Sequence, residues 1–167
     1  MKSAPAYIAL GSNLQDPAVQ VGAGFAALAA LPATRLTARS ALYRSAPVGY
    51  AEQPDFINAV AAIETLLAPR ALLDALLAIE RSRGRVREFP NAPRTLDLDV
   101  LLYGDLQLNE HGLTIPHPRM HERAFVLAPL AEIAPECVIP GRGTVSDLLR
   151  IIDAAGVTRL VTAVGAS

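Results

Sequence analysis

The chain has 167 residues, close to the size of one domain, and is 51% hydrophobic and 19% charged, which excludes both a multidomain machine and a core-poor disordered protein. Its formal net charge of −1 gives no long-range pull toward nucleic acid or an anionic membrane, although 14 of the 15 basic residues are arginine, the side chain best shaped for phosphate and carboxylate. A single cysteine, Cys137, rules out an intrachain disulfide, and it is expected to be a small buried residue in a cytoplasmic protein.

In chain order, Ala6 to Leu10 reads as a buried strand. Asp16-Pro17 then supplies an N-cap and a first-turn proline for a helix to about Leu31. The uncharged stretch 17–34 reaches the lower edge of membrane-spanning length, but its glycines, Gln20 and Pro32 mark it as a core helix. Thr34 to Ser45 and Phe56 to Glu64 predict two strands, joined by a loop (46–54) too long for a tight hairpin. Pro69 opens a second helix with Leu72, Leu73, Leu76 and Ile79 on one face, closed by Gly84. Residues 96–103 form a further strand. The order βαββαβ predicts an α+β, ferredoxin-like core with two helices on one face of an antiparallel sheet. Beyond Gly104-Asp105, a turn, come short extended pieces to Pro116 and a helix over about 122–133. A capping box at Thr144 to Asp147 opens a last helix that Gly156 closes before a strand near Leu160 to Val164, so the core carries a C-terminal helical and strand extension. The whole of 1–167 is expected to be one domain.

Two features carry chemistry. Side chains alternate along a strand, so Asp97 and Asp99 share one face, roughly 6.5 to 7 Å apart, while Leu96, Leu98 and Val100 face the other way. Adjacent carboxylates among apolar neighbours repel unless a cation neutralises them, and Mg²⁺ is suited to one or two carboxylates with substrate phosphates completing its shell. Taken alone, the pair also fits an exposed edge strand with acidic residues guarding it. From Glu80 to Arg94 five arginines stand against two acids, a cationic loop hinged by Gly84, Pro90 and Pro93 that could close over a polyphosphate; by itself it equally fits a solvated charged loop. A P-loop is excluded because Lys2 is the only lysine. Gly22-Ala-Gly24-Phe-Ala-Ala27 matches a dinucleotide fingerprint only formally, since it falls inside a helix, and its glycines read as close-packing sites. His117 and His121 have ligand spacing, but Pro118 interrupts a helix there and zinc is not expected.

The strings Tyr7-Ile-Ala-Leu-Gly-Ser-Asn13, Tyr43-Arg-Ser-Ala-Pro-Val-Gly49, Gln53-Pro-Asp-Phe-Ile-Asn58, Gly84-Arg-Val-Arg87, Pro93-Arg-Thr-Leu-Asp-Leu-Asp99 and Ile115-Pro-His-Pro-Arg-Met-His-Glu-Arg-Ala-Phe125 occur in this order. Together, over roughly residues 6–136, they resemble the 6-hydroxymethyl-7,8-dihydropterin pyrophosphokinases of folate biosynthesis. The resemblance implies transfer of the β,γ-diphosphate of ATP to the pterin hydroxymethyl oxygen, with release of AMP. It implies two Mg²⁺ ions on Asp97 and Asp99, and assistance to transfer from Arg85 and Arg94. Arg87, Arg94, Thr114, His117 and Arg123 match ATP-contacting positions, with Glu80 and Val100 on the adenosine side. Asn58 matches the residue that reads the pterin amide edge, Phe56 and Phe125 match the rings that sandwich it, Ser45, Pro47 and Val48 match the segment whose backbone completes recognition, and Asp97 also counts among the pterin contacts. Without the motif, Phe56 and Phe125 would read as plain core. Three departures stand out. The arginine loop carries Asn91-Ala92 where a tryptophan is common, position 56 is Phe where Tyr is common, and Leu77 replaces a polar contact.

The expected partners are therefore ATP and the pterin, with no nucleic acid and no membrane, and the expected state is a monomer. A ferredoxin-like RNA-binding module is disfavoured by the net charge and by only four Tyr and four Phe. A regulatory domain that binds nucleotide without turnover is the remaining alternative.

Overall fold

A computed structural model describes residues 2–47, 52–84 and 95–160. The strands β1 (Ala4–Ser12), β3 (Tyr43–Ser45), β4 (Phe56–Thr65), β5 (Asp97–Tyr103) and β10 (Val157–Arg159) lie in the order β10-β3-β4-β1-β5, with β2 (Thr34–Arg39) also paired to β4, and every pairing is antiparallel. Helices α1 (Pro17–Ala29) and α2 (Pro69–Ser82) pack on one face, where Ile8, Leu10, Leu28, Leu72, Leu76 and Leu98 are buried. This is the ferredoxin-like core expected from the element order. The hairpin β6 (Leu108–Glu110) and β7 (Leu113–Ile115) follows β5. Helices α3 (Ala124–Ile133) and α4 (Val145–Ile151), with the small hairpin β8 (Val138–Ile139) and β9 (Gly143–Thr144), cover part of the opposite face over Val60, Leu101, Leu102, Met120 and Leu127.

Several local expectations needed correction. Asp16 does not cap α1 with its side chain: it enters the helix at φ 60, in the left-handed region, and its carbonyl instead accepts the N–H groups of Val19 and Gln20 at 3.0 and 3.1 Å. The strand expected over 34–45 breaks at Ser40, whose hydroxyl accepts the Val60 N–H at 2.9 Å and donates to the Ala41 carbonyl at 2.7 Å. A side chain there does what the ladder would otherwise do, so the backbone is free to turn. Of the two α1 glycines only Gly24 is closely packed; nothing lies within 4 Å of a Cβ at Gly22. Helix α3 begins at Ala124, after a 3₁₀ turn over Met120–Glu122. Thr144 does cap α4, accepting the Asp147 N–H at 3.2 Å, but the helix ends at Ile151, well before Gly156. The last strand is β10, earlier than expected, and 161–164 lie outside the described residues. Cys137 is half-buried, and burial raises its thiol pKa above the ordinary value. Among the described residues no helix is long and apolar enough to cross a membrane.

The feature of the fold that matters most for the site is a break in the alternation of β5. Tyr7 pairs with Leu102 and Ile8 with Val100, leaving Leu101 as an extra, bulged residue. Asp97 and Asp99 therefore share the α3 side of the sheet with both Leu101 and Leu102, while Leu98 and Val100 enter the α1/α2 core. The bulge lets one strand hold two carboxylates at its start and pack two leucines under α3 on the same face.

Candidate active site

Helix α3 and the β8–β9 hairpin leave one end of their face of the sheet uncovered, and this end is a cleft enclosing about 770 Å³ of empty space, part of it open to solvent. Antiparallel register makes its floor legible as rows of side chains crossing the strands. Tyr43 on β3, Asn58 on β4, Gly11 on β1 and Asp97 on β5 form one row, and Val60, Ala9 and Asp99 form the next; Tyr43 and Val60 are buried, and the other five line the cleft. With strands about 4.8 Å apart, Asn58 and Asp97 stand roughly 10 Å from each other with only a glycine between them. That is the width of a flat bicyclic ring with a short side arm.

Asn58 and His117 are each held in orientation by hydrogen bonds. Asn58 is buried, and its Nδ2 donates to Ser45 Oγ at 2.7 Å. This bond fixes the orientation of the amide and leaves Oδ1 on the Gly11 side, 3.4 Å from where a Cβ at that glycine would sit. Phe56 lies at the open edge of the same strand. Facing it across the cleft is the start of α3, which brings Phe125 and Arg123, the guanidinium carbon 5.6 Å from the ring centroid. The strand-to-helix segment after β7 supplies His117. Its backbone N–H donates to the carbonyl of the bulged Leu101 at 2.9 Å, and its Nδ1 accepts the Arg119 N–H at 3.1 Å. The neutral ring must then carry its proton on Nε2, a donor available to a ligand. Burial first, then the positive charge of Arg123, lowers the imidazole to about 4 against the opposing pull of Asp97, so the ring is neutral at physiological pH.

Of the residues singled out from the sequence, Ser45, Phe56, Asn58, Asp97, Asp99, His117, Arg123 and Phe125 line this one cleft. Pro47, Glu80, Val100 and Thr114 do not. Val100 is buried in the α1/α2 core because it alternates with the two aspartates, so only its backbone is on the cleft side of the strand. Glu80, also buried, projects from α2 to the outer edge of β5, where its Oε2 accepts the N–H of Leu98 at 2.6 Å, between the two aspartates. Thr114 sits on the hairpin, its hydroxyl 3.3 Å from Asn109 Oδ1. Val48, Arg85, Arg87 and Arg94 lie outside the described residues. What sequence reasoning missed is the floor, Ala9 and Gly11. The alternation of small residues in Ala9-Leu10-Gly11 was the available signal, but it acquires meaning only once the register puts each of them opposite a carboxylate.

The donor set fits a hard divalent cation. Two carboxylates stand two residues apart on one strand face, and among the described residues no group of three His, Cys, Asp or Glu forms a closed cage. Such a pair leaves coordination positions to water and phosphate oxygens, as Mg²⁺ requires.

A family model described as 7,8-dihydro-6-hydroxymethylpterin-pyrophosphokinase matches residues 7–135 of this chain. The chain belongs to that family. It is a pyrophosphokinase of folate biosynthesis, and two relatives support this over nearly their whole length. The 2-amino-4-hydroxy-6-hydroxymethyldihydropteridine pyrophosphokinase of Pseudomonas aeruginosa is 51% identical over 154 residues, covering 92% of this chain and 95% of the relative. That of Haemophilus influenzae is 49% identical over 145 residues, covering 87% and 91%. Among solved structures, an HPPK-DHPS in complex with substrates superposes with a TM-score of 0.76 at 13% identity, covering 97% of this chain and 47% of that one. A Plasmodium falciparum HPPK-DHPS with pteroate gives 0.71 at 14% identity, covering 89% and 42%. This chain thus spans less than half of those two chains, and the likeness bears on the pyrophosphokinase fold alone.

Proposed function

We propose that this pyrophosphokinase binds the pterin across the Asn58–Gly11–Asp97 row and ATP alongside it over Asp97, Asp99, His117 and Arg123. The pterin hydroxymethyl oxygen attacks the β-phosphorus of ATP, the bond from that phosphorus to the α,β-bridging oxygen breaks, AMP leaves with the bond's electrons, and the hydroxyl proton passes to solvent. Asp97 and Asp99 would hold two Mg²⁺ ions, which when bound neutralise the triphosphate and orient it for in-line attack. Asn58 reads the amide edge of the ring with its amide oxygen and its second N–H, its first being taken by Ser45. Phe56 and Phe125 stack on the ring, and the backbone of Ser45, Pro47 and Val48 completes its recognition. His117 donates Nε2–H, and Arg123 its guanidinium, to phosphate oxygens. Arg85, Arg87 and Arg94 act over the phosphates as their motif suggests, with Thr114, Glu80 and the backbone of Val100 toward the nucleoside. The chain acts as a single domain and a monomer in the cytoplasm.

The observation that carries this reading is the shared face: both aspartates open into the cleft that holds Asn58, Phe125 and His117. The test is product analysis. Incubated with ATP, Mg²⁺ and 6-hydroxymethyl-7,8-dihydropterin, the protein should yield AMP and the pterin diphosphate. Asp97→Asn and Asp99→Asn should each lower turnover by about a hundredfold or more with the fold retained. Formation of ADP, or near-normal rates in either variant, would overturn it.

A further inference from the structure

The wall that presents Asn58 is tied together from behind. Glu132, on the last turn of α3, lies seven residues and about 10 Å along the helix axis from Phe125, on the same helical stripe. Its carboxylate accepts three kinds of donor. The Tyr43 hydroxyl donates to Oε1 at 2.7 Å, the Ala41 N–H reaches both oxygens at 3.1 Å, and Arg159 on β10 places Nε 3.5 Å from Oε1. One side chain therefore joins α3 to the segment leading into β3, to β3 itself and to the strand that covers the edge of β3. Burial, followed by the bond to Glu132, pushes the Tyr43 hydroxyl up to about 12, so it remains a donor at neutral pH.

The position of this tie gives it a consequence for the site. Strand β3 is only three residues long and holds few ladder bonds of its own, yet it carries both Tyr43, which pairs with Asn58, and Ser45, which accepts from the Asn58 amide. The opposite side of the cleft, Phe125 and Arg123, belongs to the helix that carries Glu132. Helix α3 packs directly on β4 through Val60, Leu127 and Leu130, but its hold on β3, which orients the Asn58 amide, runs through one carboxylate that touches neither ligand. The two aspartates stand on β5, at the far side of the sheet from β3, and the tie does not reach them.

We infer that Glu132, acting with Tyr43, is a positioning residue that sets the spacing of the pterin subsite and leaves the aspartates of β5 untouched. This rests on the reading of the cleft given above. Breaking the tie should let β3 and α3 drift apart, weakening ring recognition while Asp97, Asp99 and His117, which belong to neither element, stay in place.

The experiment compares wild type, Glu132→Ala, Glu132→Gln and Tyr43→Phe by thermal unfolding, by calorimetric binding of 6-hydroxymethyl-7,8-dihydropterin, and by steady-state AMP formation with each substrate varied. Glu132→Ala should raise the pterin Kd and KM by about tenfold, with a smaller rise of about threefold or less in the ATP KM, through Arg123 alone, and kcat at saturation largely kept. Glu132→Gln, whose amide oxygen still accepts from Tyr43 and Ala41, should recover part of the loss, and Tyr43→Phe should show a smaller change in the same direction. If Glu132→Ala fails to fold, Tyr43→Phe decides, because it removes one oxygen from an otherwise intact core. A pterin affinity unchanged in Tyr43→Phe and Glu132→Ala, or a parallel rise in both KM values, overturns the inference. Wild type that binds no pterin and forms no AMP would instead sink the parent reading.

Discussion

Helix α1 offers an internal control for how tightly the sheet behind the site is packed. Gly22 and Gly24 both lie well inside the helix, one exposed and one buried. Replacing either by alanine brings the same gain in helix propensity, about 1 kcal/mol. At Gly22 nothing opposes it, and Gly22→Ala should stabilise the protein by about that amount. At Gly24 the new Cβ would stand 2.7 Å from Leu10 Cδ2 and 3.4 Å from Leu96 Cδ2, and both leucines are buried in the α1/α2 core. Forcing a methyl into a filled core costs about 1–3 kcal/mol. Since the propensity terms cancel, Gly24→Ala should be less stable than Gly22→Ala by about 1–3 kcal/mol, or several degrees in Tm for a domain of this size. Leu96 directly precedes Asp97 and Leu10 precedes Gly11, so the displacement should also lower kcat/KM in Gly24→Ala alone. Urea unfolding of both variants, with AMP formation measured on the same samples, checks this. Equal stabilities would mean that Leu10 rotates out of the way freely and that the helix does not hold the floor of the cleft rigid.

Three further outcomes follow from the site. The His117 ring should titrate near 4 by NMR, and because its folded pKa lies below the ordinary 6.5, the stability it contributes is complete above 6.5 and lost as pH falls toward 4. With screening of a partly open ring allowed for, wild type should lose about 1 kcal/mol more than His117→Gln between pH 7.5 and 5; equal losses would contradict a buried neutral imidazole. Asn58→Ala should weaken pterin binding by about tenfold to a hundredfold and ATP binding little, read by calorimetry, since ring-edge hydrogen bonds are lost and Ser45 loses its donor. Glu80→Ala removes the acceptor of the Leu98 N–H and should cost about 1–3 kcal/mol in urea unfolding, with a loss of turnover because that N–H lies between the aspartates; an unaffected variant would show the edge of β5 to be self-supporting.

The comparison of sequence with structure divides along physical lines. The element order, the helix faces built by Leu72, Leu76 and Ile79, and the shared face of Asp97 and Asp99 all depend on periodicity over a few residues, which a single strand or helix imposes by itself. So does the Thr144 cap, whose bond closes within three residues. The motif strings identified the family and with it most residues that line the cleft.

Other features depend on contacts between segments far apart in the chain. Register across three strands placed Gly11 between Asn58 and Asp97, and no local pattern marks that glycine as floor. The Leu101 bulge and the Ser40 bend overrode alternation because hydrogen bonds to backbone groups distant in the chain, those of His117 and Val60, were available there. Glu132 reads locally as an ordinary charged residue near a helix end; only the packing of α3 against β3 and β10 gathers its three donors. What the chain decided alone is what neighbouring residues can settle among themselves, and the width and floor of the cleft had to wait for tertiary structure because they are distances between strands.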